Sequence, residues 1–313
     1  MAQPTVVNKL TNAHPRLSRS ADFLRGMSRS KVTIAGLIIS IAYLILAIMD
    51  IVYPLYLGVR NDTSMLYFIP GQNVNSEPPS PPTFVHGWWF YFGTTISHIP
   101  IFPSMLAALR YDIIYSLLVV VAGALLGIVI GTIAAFFGGV TDETLMRITD
   151  IFLSVPFIPL AIAVTFFLGS TFLDEVYALI FVSWPAFARL ARGETLTLRS
   201  SSFILAATSA GSSRLRNIFV HIVPNVLSPI FVQASLGIGR VVLIFATLDF
   251  LGIVRGDPYM PELGKLMVLG EQFLPQGQWW PIVVPGIFLV IFVVGINLLG
   301  DGLRDVLDPK LRT

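Results

Sequence analysis

Cysteine is absent from the 313 residues, which excludes a disulfide framework and a thiolate metal site. Charge is scarce too: 12 % of residues are Asp, Glu, Lys or Arg, against roughly 25 % in an ordinary soluble domain. The net charge of +2 is too small to argue for nucleic acid as a partner. There is no Gly-x4-Gly-Lys-Ser/Thr phosphate loop, since Gly264-Lys265 is followed by Leu266. The four histidines, His14, His86, His98 and His221, show no metal-ligand spacing, and no pair of carboxylates is placed for acid/base work within one apolar run. An intramembrane hydrolase would need such a constellation.

What is present is apolar. Hydrophobic residues make up 55 % of the chain, and several runs approach or exceed the ~20 residues that span a bilayer as helix. The expected fold is all-α and polytopic, with about six transmembrane helices: Val32 to Tyr53, Asp112 to Phe137, Ile148 to Leu168, Val176 to Leu190, Pro229 to Leu251 and Trp280 to Leu299. The fourth is the least regular, because Pro185 interrupts a short run and Arg189 and Arg192 follow it. Six spans put both termini on one side, and the charges then sort. Fifteen of the twenty Lys/Arg lie on the side of the termini, four (Arg60, Arg110, Arg255, Lys265) on the other, and Arg240 falls inside a span. That asymmetry orients both termini to the cytoplasm. The first span has a basic flank and is too long for a cleavable signal core, so it reads as a retained anchor in a multi-pass protein of the cell membrane.

The organisation that follows is a cytoplasmic segment 1–31, a first transmembrane helix 32–56, an external loop 57–111, a transmembrane core 112–302 and a cytoplasmic tail 303–313. In the first segment Ser20 is placed to cap a short amphipathic helix through Ala21, Phe23 and Leu24. The external loop holds PPSPP at 78–82 and the aromatic cluster WWFYF at 88–92, which suits an interfacial belt or a docking surface for an external partner. Asn61-Asp62-Thr63 matches a glycosylation sequon, a pattern that recurs by chance.

Between the fourth and fifth spans lies a different kind of sequence, AATSAGSSRLRNIFVHIVPN at 206–225. Ser201 or Ser202 suits an N-cap; Phe203, Ala206, Ala207 and Ala210 fall on one helical face; and Gly211 stands where a left-handed C-terminal cap is wanted. A second helix follows, with Leu215, Ile218, Phe219 and Ile222 as its apolar stripe and Arg214, Arg216, Asn217 and His221 as its polar side. Pro224 is expected to end it, and Pro229 to restart the chain as the fifth span.

The pattern Ala206-Ala207-x3-Gly211-x9-His221-Ile222-Val223-Pro224 resembles the EAA loop of ABC importer permeases, here residues 199–224. FFGGVTDETLMRITDIFLSVP (136–156), FVSWPAFARLARGE (181–194), HIVPNVLSPIFVQASLGIG (221–239) and NLLGDGLRDVLDPKL (297–311) are similar to the second permease subunit of the dipeptide/oligopeptide transport family. The likeness covers residues 23–56 loosely and 105–312 well. It implies a type I ABC importer fold and a non-catalytic subunit that binds no cofactor itself. ATP and Mg belong to two cytoplasmic ATPase partners, beside a second homologous permease and an external substrate-binding protein. It further implies that the helix pair is the coupling element that meets an ATPase, through Phe203, Ala206, Ala207, Ala210, Gly211, Ser212, Ser213, Arg214, Arg216 and Pro224. Two departures stand out: Leu205 replaces the glutamate that names the loop, and Thr208 a neighbouring arginine, so an ion pair through them is absent. The stretch after the external loop, GTTISHIPIFP at 93–103, is also degraded from the family pattern.

The resemblance favours di- or oligopeptides as substrate, with oligosaccharides or nickel as alternatives. Arg240 and Asp249 are the candidate polar residues of the pathway, as they would be of a channel or ion-coupled carrier. At nine residues' separation, about 13.5 Å along a helix, the two are too far apart to pair directly, so Arg240 is expected to find a carbonyl or acid on another span or on the second permease, or to line the pathway.

Overall fold

The computed structural model describes residues 30–56, 78–84, 90–95, 99–254 and 262–307. The expected Ser20 helix and the Asn61 sequon lie outside these residues. Ten α-helices are present among them: α1 (Lys31–Tyr56), α2 (Ile101–Phe137), α3 (Gly139–Ser154), α4 (Phe157–Leu168), α5 (Phe172–Arg199), α6 (Ser202–Ser209), α7 (Arg214–Arg216), α8 (Val223–Phe250), α9 (Leu263–Glu271) and α10 (Trp280–Leu307). A π-helical stretch, Asn217–Ile222, joins α7 to α8. No β-strand occurs among the described residues beyond an isolated Thr94–Pro100 bridge.

Four helices are long and apolar enough to cross a membrane: Lys31–Asp50, Ile101–Phe137, Arg214–Phe250 and Trp280–Asp305. The expected third span is not one straight helix. It is the pair α3 and α4, bent by 95°. The cause is local: Pro156 has no N–H to donate, and the residue before it, Val155, is pushed to extended geometry (φ −94°, ψ 132°). The expected fourth span falls in a continuous 28-residue helix with Pro185 inside it, α5, which is not among the helices apolar enough to cross. By length and composition the described residues hold four spans, or five with the bent pair, where six were expected. Helix α5 begins with a capping box, in which Thr171 Oγ1 accepts from the Asp174 N–H and the Asp174 carboxylate accepts from the Thr171 N–H.

The second span also starts earlier, at Ile101 rather than Asp112, so the loop assigned to 57–111 is shortened by a helical segment. Pro100 at the N-cap and Pro103 in the first turn are tolerated because the first helical N–H groups have no partners to lose. The 37 residues of α2 extend about 55 Å, well beyond a ~30 Å hydrocarbon core. Arg110, counted above as a loop charge, lies in this helix and pairs with Asp50 of α1 at 3.1 Å. Within the Pro-rich stretch, Ser80 N–H donates to Thr94 Oγ1 at 2.7 Å, so this segment is pinned.

Helix packing is set by glycines. On α2, Gly123, Gly127 and Gly131 recur every four residues, and an added Cβ at each would collide with α5 at Ser183, at Phe187 and Ala188, and at Ala188 and Ala191. Small residues at this spacing let two backbones touch, the main source of association where lipid offers no hydrophobic drive. Contacts advance along both helices together, so α2 and α5 are parallel. The chain between them, α3 and α4, must therefore return from one end of the bundle to the other, and the bent pair crosses it. A second glycine set joins α1 to α10, through Gly36 against Leu298, Gly295 against Ile39 and Gly302 against Thr33. Tyr43 Oη donates to the Phe288 carbonyl at 2.7 Å across this pair. One buried cluster unites α2, α5, α6 and α8 around Ile128, Phe187, Ile204, Ile222 and Phe245; another unites α1, α2, α8, α9 and α10 around Tyr43, Leu109, Val242, Leu263 and Phe292.

Candidate functional site

At the end of the bundle where α5 stops, the chain makes an elbow. Only Ser200 and Ser201 separate α5 from α6. Ser201 occupies the N-cap position, as one of the two expected serines, but its hydroxyl donates back to the Leu198 carbonyl and makes no cap bond. The end of α6 is as the glycine predicts. Gly211 has φ +86°, its N–H donates to Thr208 O at 3.0 Å, and the Ser212 N–H donates to Ala207 O at 3.0 Å. This is a Schellman motif, which satisfies two terminal carbonyls and reverses the chain. Ser213 then caps α7, its hydroxyl accepting from the Arg216 N–H.

The second limb differs from expectation. Pro224 does not end a helix, nor does Pro229 start one: the helix runs on from Arg214 to Phe250. The chain accommodates Pro224 by widening first to π geometry, with the Val223 N–H donating to Ile218 O five residues back. That register relieves the clash a proline ring makes with the carbonyl four residues before it. It also divides the predicted apolar stripe. Ile218 and Ile222 are buried, whereas Leu215 and Phe219 are 63 % and 68 % exposed. Asn217, assigned to the polar side, is buried and donates from Nδ2 to Thr208 Oγ1 at 3.1 Å, tying the two limbs together. Thr208, a departure from the resembled pattern, thus has a structural role.

The residues grouped by sequence do come together here. Phe203, Ala206, Ala210, Gly211, Ser213, Arg214, Arg216 and Pro224 are exposed, and Ala207 and Ser212 half-buried. Ile204, on the opposite side of α6, is 3 % exposed and anchors the elbow in the core. A cavity of about 280 Å³ beneath it is lined by Phe136, Phe137, Arg199, Leu205, Arg214 and Asn217. Nearby, Arg192 grips Asp142 of α3 with two bonds of 2.6 and 2.7 Å, and Arg189 holds Asp150 at 2.6 Å. These arginines, read as flanking a short span, fasten α5 to α3. The arrangement is a projection whose open outer side carries small residues beside exposed Phe203, Leu205, Leu215 and Phe219, and whose inner side packs on the spanning helices.

Arg240 and Asp249 are not brought together. Arg240 is exposed on α8 and makes no hydrogen bond or ion pair among the described residues, so the expected partner on another span is not found among them. Asp249 is 3 % exposed and sits at the opposite end of the bundle from the elbow, with residues the sequence did not single out. Glu175 of α5 is 0 % exposed and Glu262, ahead of α9, is 1 % exposed. One carboxylate oxygen from each of Glu175, Asp249 and Glu262 lies within 4.8 Å of the others. Lys265 Nζ approaches Glu262 at 3.5 Å, and the Leu263 N–H donates to Asp112 alongside. If ionised, two like charges at such a distance repel by about 3.5 kcal/mol or more at an effective dielectric constant of 20, so a charged group here needs compensation. The residues come from four separate segments, and a search for carboxylate pairs within one span passes over them. The available signal was acids in apolar helices, at Asp112 and Glu175 as well as Asp249.

A bundle of packed apolar helices, crossed by a broken span and carrying an exposed helical elbow at one end, defines a multi-pass membrane permease. Residues 123–313 match the family described as binding-protein-dependent transport system inner membrane component. The chain is 36 % identical over 287 residues to the dipeptide transport system permease protein DppC of Alkalihalophilus pseudofirmus, covering 92 % of this chain and 88 % of the relative. It is 37 % identical over 230 residues to the probable D,D-dipeptide transport system permease DdpC of Escherichia coli, covering 74 % and 75 %. It is 37 % identical over 213 residues to the glutathione transport system permease GsiD of Pectobacterium atrosepticum, covering 68 % and 70 %. The chain belongs to this family of binding-protein-dependent ABC importer permeases. It is the membrane component of a transporter that works with ATPase and substrate-binding components.

Proposed function

We propose that this chain forms half of a translocation pathway for di- and oligopeptides, beside a second homologous permease, and that the elbow docks on one of two cytoplasmic ATPases that carry ATP and Mg. The observation that carries the coupling part is the exposed face of α6 with Gly211 at its tip, anchored by Ile204 in the core and tied to the second limb by Asn217 and Thr208. A face of alanines lets another backbone approach closely, and a stiff helix pair passes a domain movement to the spans on either side. The peptide part rests on the relatives, whose names specify dipeptides, D,D-dipeptides and glutathione. The test is ATP-dependent uptake by the reconstituted importer with its cognate binding protein, comparing a labelled dipeptide with an oligosaccharide and with Ni²⁺. Uptake of either of the latter in place of the dipeptide overturns the substrate assignment.

In this reading the elbow and both termini are cytoplasmic, and the opposite end is external. A cysteine-free chain makes the check clean. Phe84→Cys, at a position 80 % exposed, reacts with an impermeant thiol reagent added outside intact cells, and Ser200→Cys does not. Labelling of Ser200→Cys from outside reverses the topology.

Arg240 belongs to the pathway in the same reading. An arginine at a helix centre facing lipid costs roughly 2.5 to 3.5 kcal/mol on insertion scales, so an exposed one without a partner among the described residues is better placed against water or the second permease. Facing the pathway, its charge attracts an anionic group such as a peptide C-terminus. Arg240→Ala is expected to lower dipeptide uptake at least tenfold at matched protein levels, with Arg240→Lys retaining part of it. Equal loss of assembly in both variants, or full transport by Arg240→Ala, removes Arg240 from the pathway.

A further inference from the structure

We propose that Glu175, Asp249 and Glu262 form a binding site for a calcium-sized divalent cation, at the end of the bundle opposite the elbow. The three carboxylates converge from α5, α8 and the N-terminus of α9, each residue at least 97 % buried, with one oxygen from each within 4.8 Å of the others. Convergence alone is not a site. The second observation is that both oxygens of all three side chains lack a hydrogen-bond donor among the described residues, although buried carboxylates ordinarily accept several. Glu262 makes the same point from its backbone. It holds the N-cap position of α9, yet its carboxylate caps no N–H and instead turns into the cluster.

The backbone is shaped to bring these groups in. Gly264 lies so close to α8 that an added Cβ would meet Ala246 Cα and O at 2.7 Å and Asp249 Cβ at 2.8 Å. Any side chain there would lift Glu262 away from Asp249. Oxygens only, no nitrogen or sulfur, select a hard cation. Size then discriminates: oxygens on opposite sides of Ca²⁺ are about 4.6 to 5.2 Å apart, and on opposite sides of Mg²⁺ only about 4.0 to 4.2 Å. The three oxygens, all within 4.8 Å of one another, lie inside the shell of the larger ion. Three carboxylates supply up to six oxygens, within the range Ca²⁺ takes.

Lys265 is the internal competitor. Its ammonium is 3.5 Å from Glu262 and 5.8 Å from the centre of the Phe172 ring, so it offers one positive charge against three carboxylates and holds a single contact among them. Binding of a divalent ion displaces this contact towards the Phe172 face. The presence of the competitor places the affinity in the weak class of calcium sites, about 0.1 to 1 mM.

The test uses the assembled importer in nanodiscs with Tb³⁺, a hard ion of calcium's size, as a luminescent probe. Tyr115 packs on Phe172 with ring centres 4.7 Å apart and serves as the nearby sensitiser. The expected result is tyrosine-sensitised emission that Ca²⁺ displaces with a midpoint of about 0.1 to 1 mM and Mg²⁺ at least about tenfold less well. Glu262→Gln removes this component. Lys265→Met strengthens it severalfold, a gain that misfolding cannot produce. Emission identical in the wild type and Glu262→Gln, or no gain with Lys265→Met, overturns the site; stability indifferent to calcium in a complex without such emission means the carboxylates are carried protonated, and overturns it too.

Discussion

Gly127→Leu is expected to leave little of the subunit in the membrane and less in the assembled importer, at least a tenfold fall in the amount that copurifies with its partners. The position lies at the middle of the α2–α5 contact. A Cβ added there meets the Phe187 side chain, the Ala188 nitrogen at 2.7 Å and the Phe187 carbonyl carbon at 2.8 Å. Those last two are backbone atoms of another helix, which cannot rotate aside as a side-chain tip does. Overpacking a core typically costs about 1 to 3 kcal/mol, and more where nothing can yield. Separating the helices at Gly127 also opens the contacts at Gly123 and Gly131, so the loss is not local. Leu125→Ala is the control, because Leu125 is on the same helix but 59 % exposed. Quantitative immunoblotting of membranes and of the purified complex reads the effect. Normal amounts of Gly127→Leu would show that α2 and α5 are not held by backbone proximity.

Gly211→Val is expected to lower transport about tenfold while the chain still inserts and assembles. Nothing lies within 4 Å of the Cβ position at Gly211, so the effect is not one of bulk. It is conformational. At φ +86° a β-branched residue is a genuine outlier, and the left-handed region costs an ordinary L-residue roughly 1 to 2 kcal/mol. The chain escapes that strain by abandoning the Schellman motif, which releases the Gly211 and Ser212 N–H bonds to Thr208 and Ala207 and changes the angle between α6 and α7. In the proposed function that angle is what an ATPase grips. Gly211→Asn should transport nearly as the wild type does, since asparagine tolerates the left-handed region. Ala207→Glu, which puts a charge into the same contact, should act like Gly211→Val. Transport and transport-stimulated ATPase activity at matched subunit levels decide the matter. Full activity in both Gly211→Val and Ala207→Glu would move the coupling contact elsewhere.

The elbow shows how far a sequence can be read and where reading stops. Gly211 is legible because a left-handed cap is a local requirement, set by residues within six positions. Pro224 and Pro229 misled for the complementary reason. A proline's effect on a helix is predictable in isolation, but here the π turn at Asn217–Ile222 and the burial of Ile218, Ile222, Val226 and Ile230 hold the helix through both. Pro185 is carried within α5 in the same way, at a position buried against its neighbours. Pro156 did break its helix, and α3 turns from α4 there. These four prolines, with three outcomes, differ in packing, not in propensity.

By itself the sequence determined that the chain lives in a bilayer, that its regular structure is helical, where the elbow turns and which family it belongs to. These follow from composition, from runs long enough to span and from short-range patterns in which each residue acts on neighbours a turn away. Only the tertiary structure decided that α2 and α5 run parallel with their backbones in contact, and that α3 and α4 form one broken crossing. The same holds for Asp249, which sits with Glu175 and Glu262 rather than with Arg240. Glu175 and Glu262 are 87 positions apart in the chain, and no local rule relates them. Three helix ends meeting at one end of the bundle do, because the packing of α5, α8 and α9 brings their termini together.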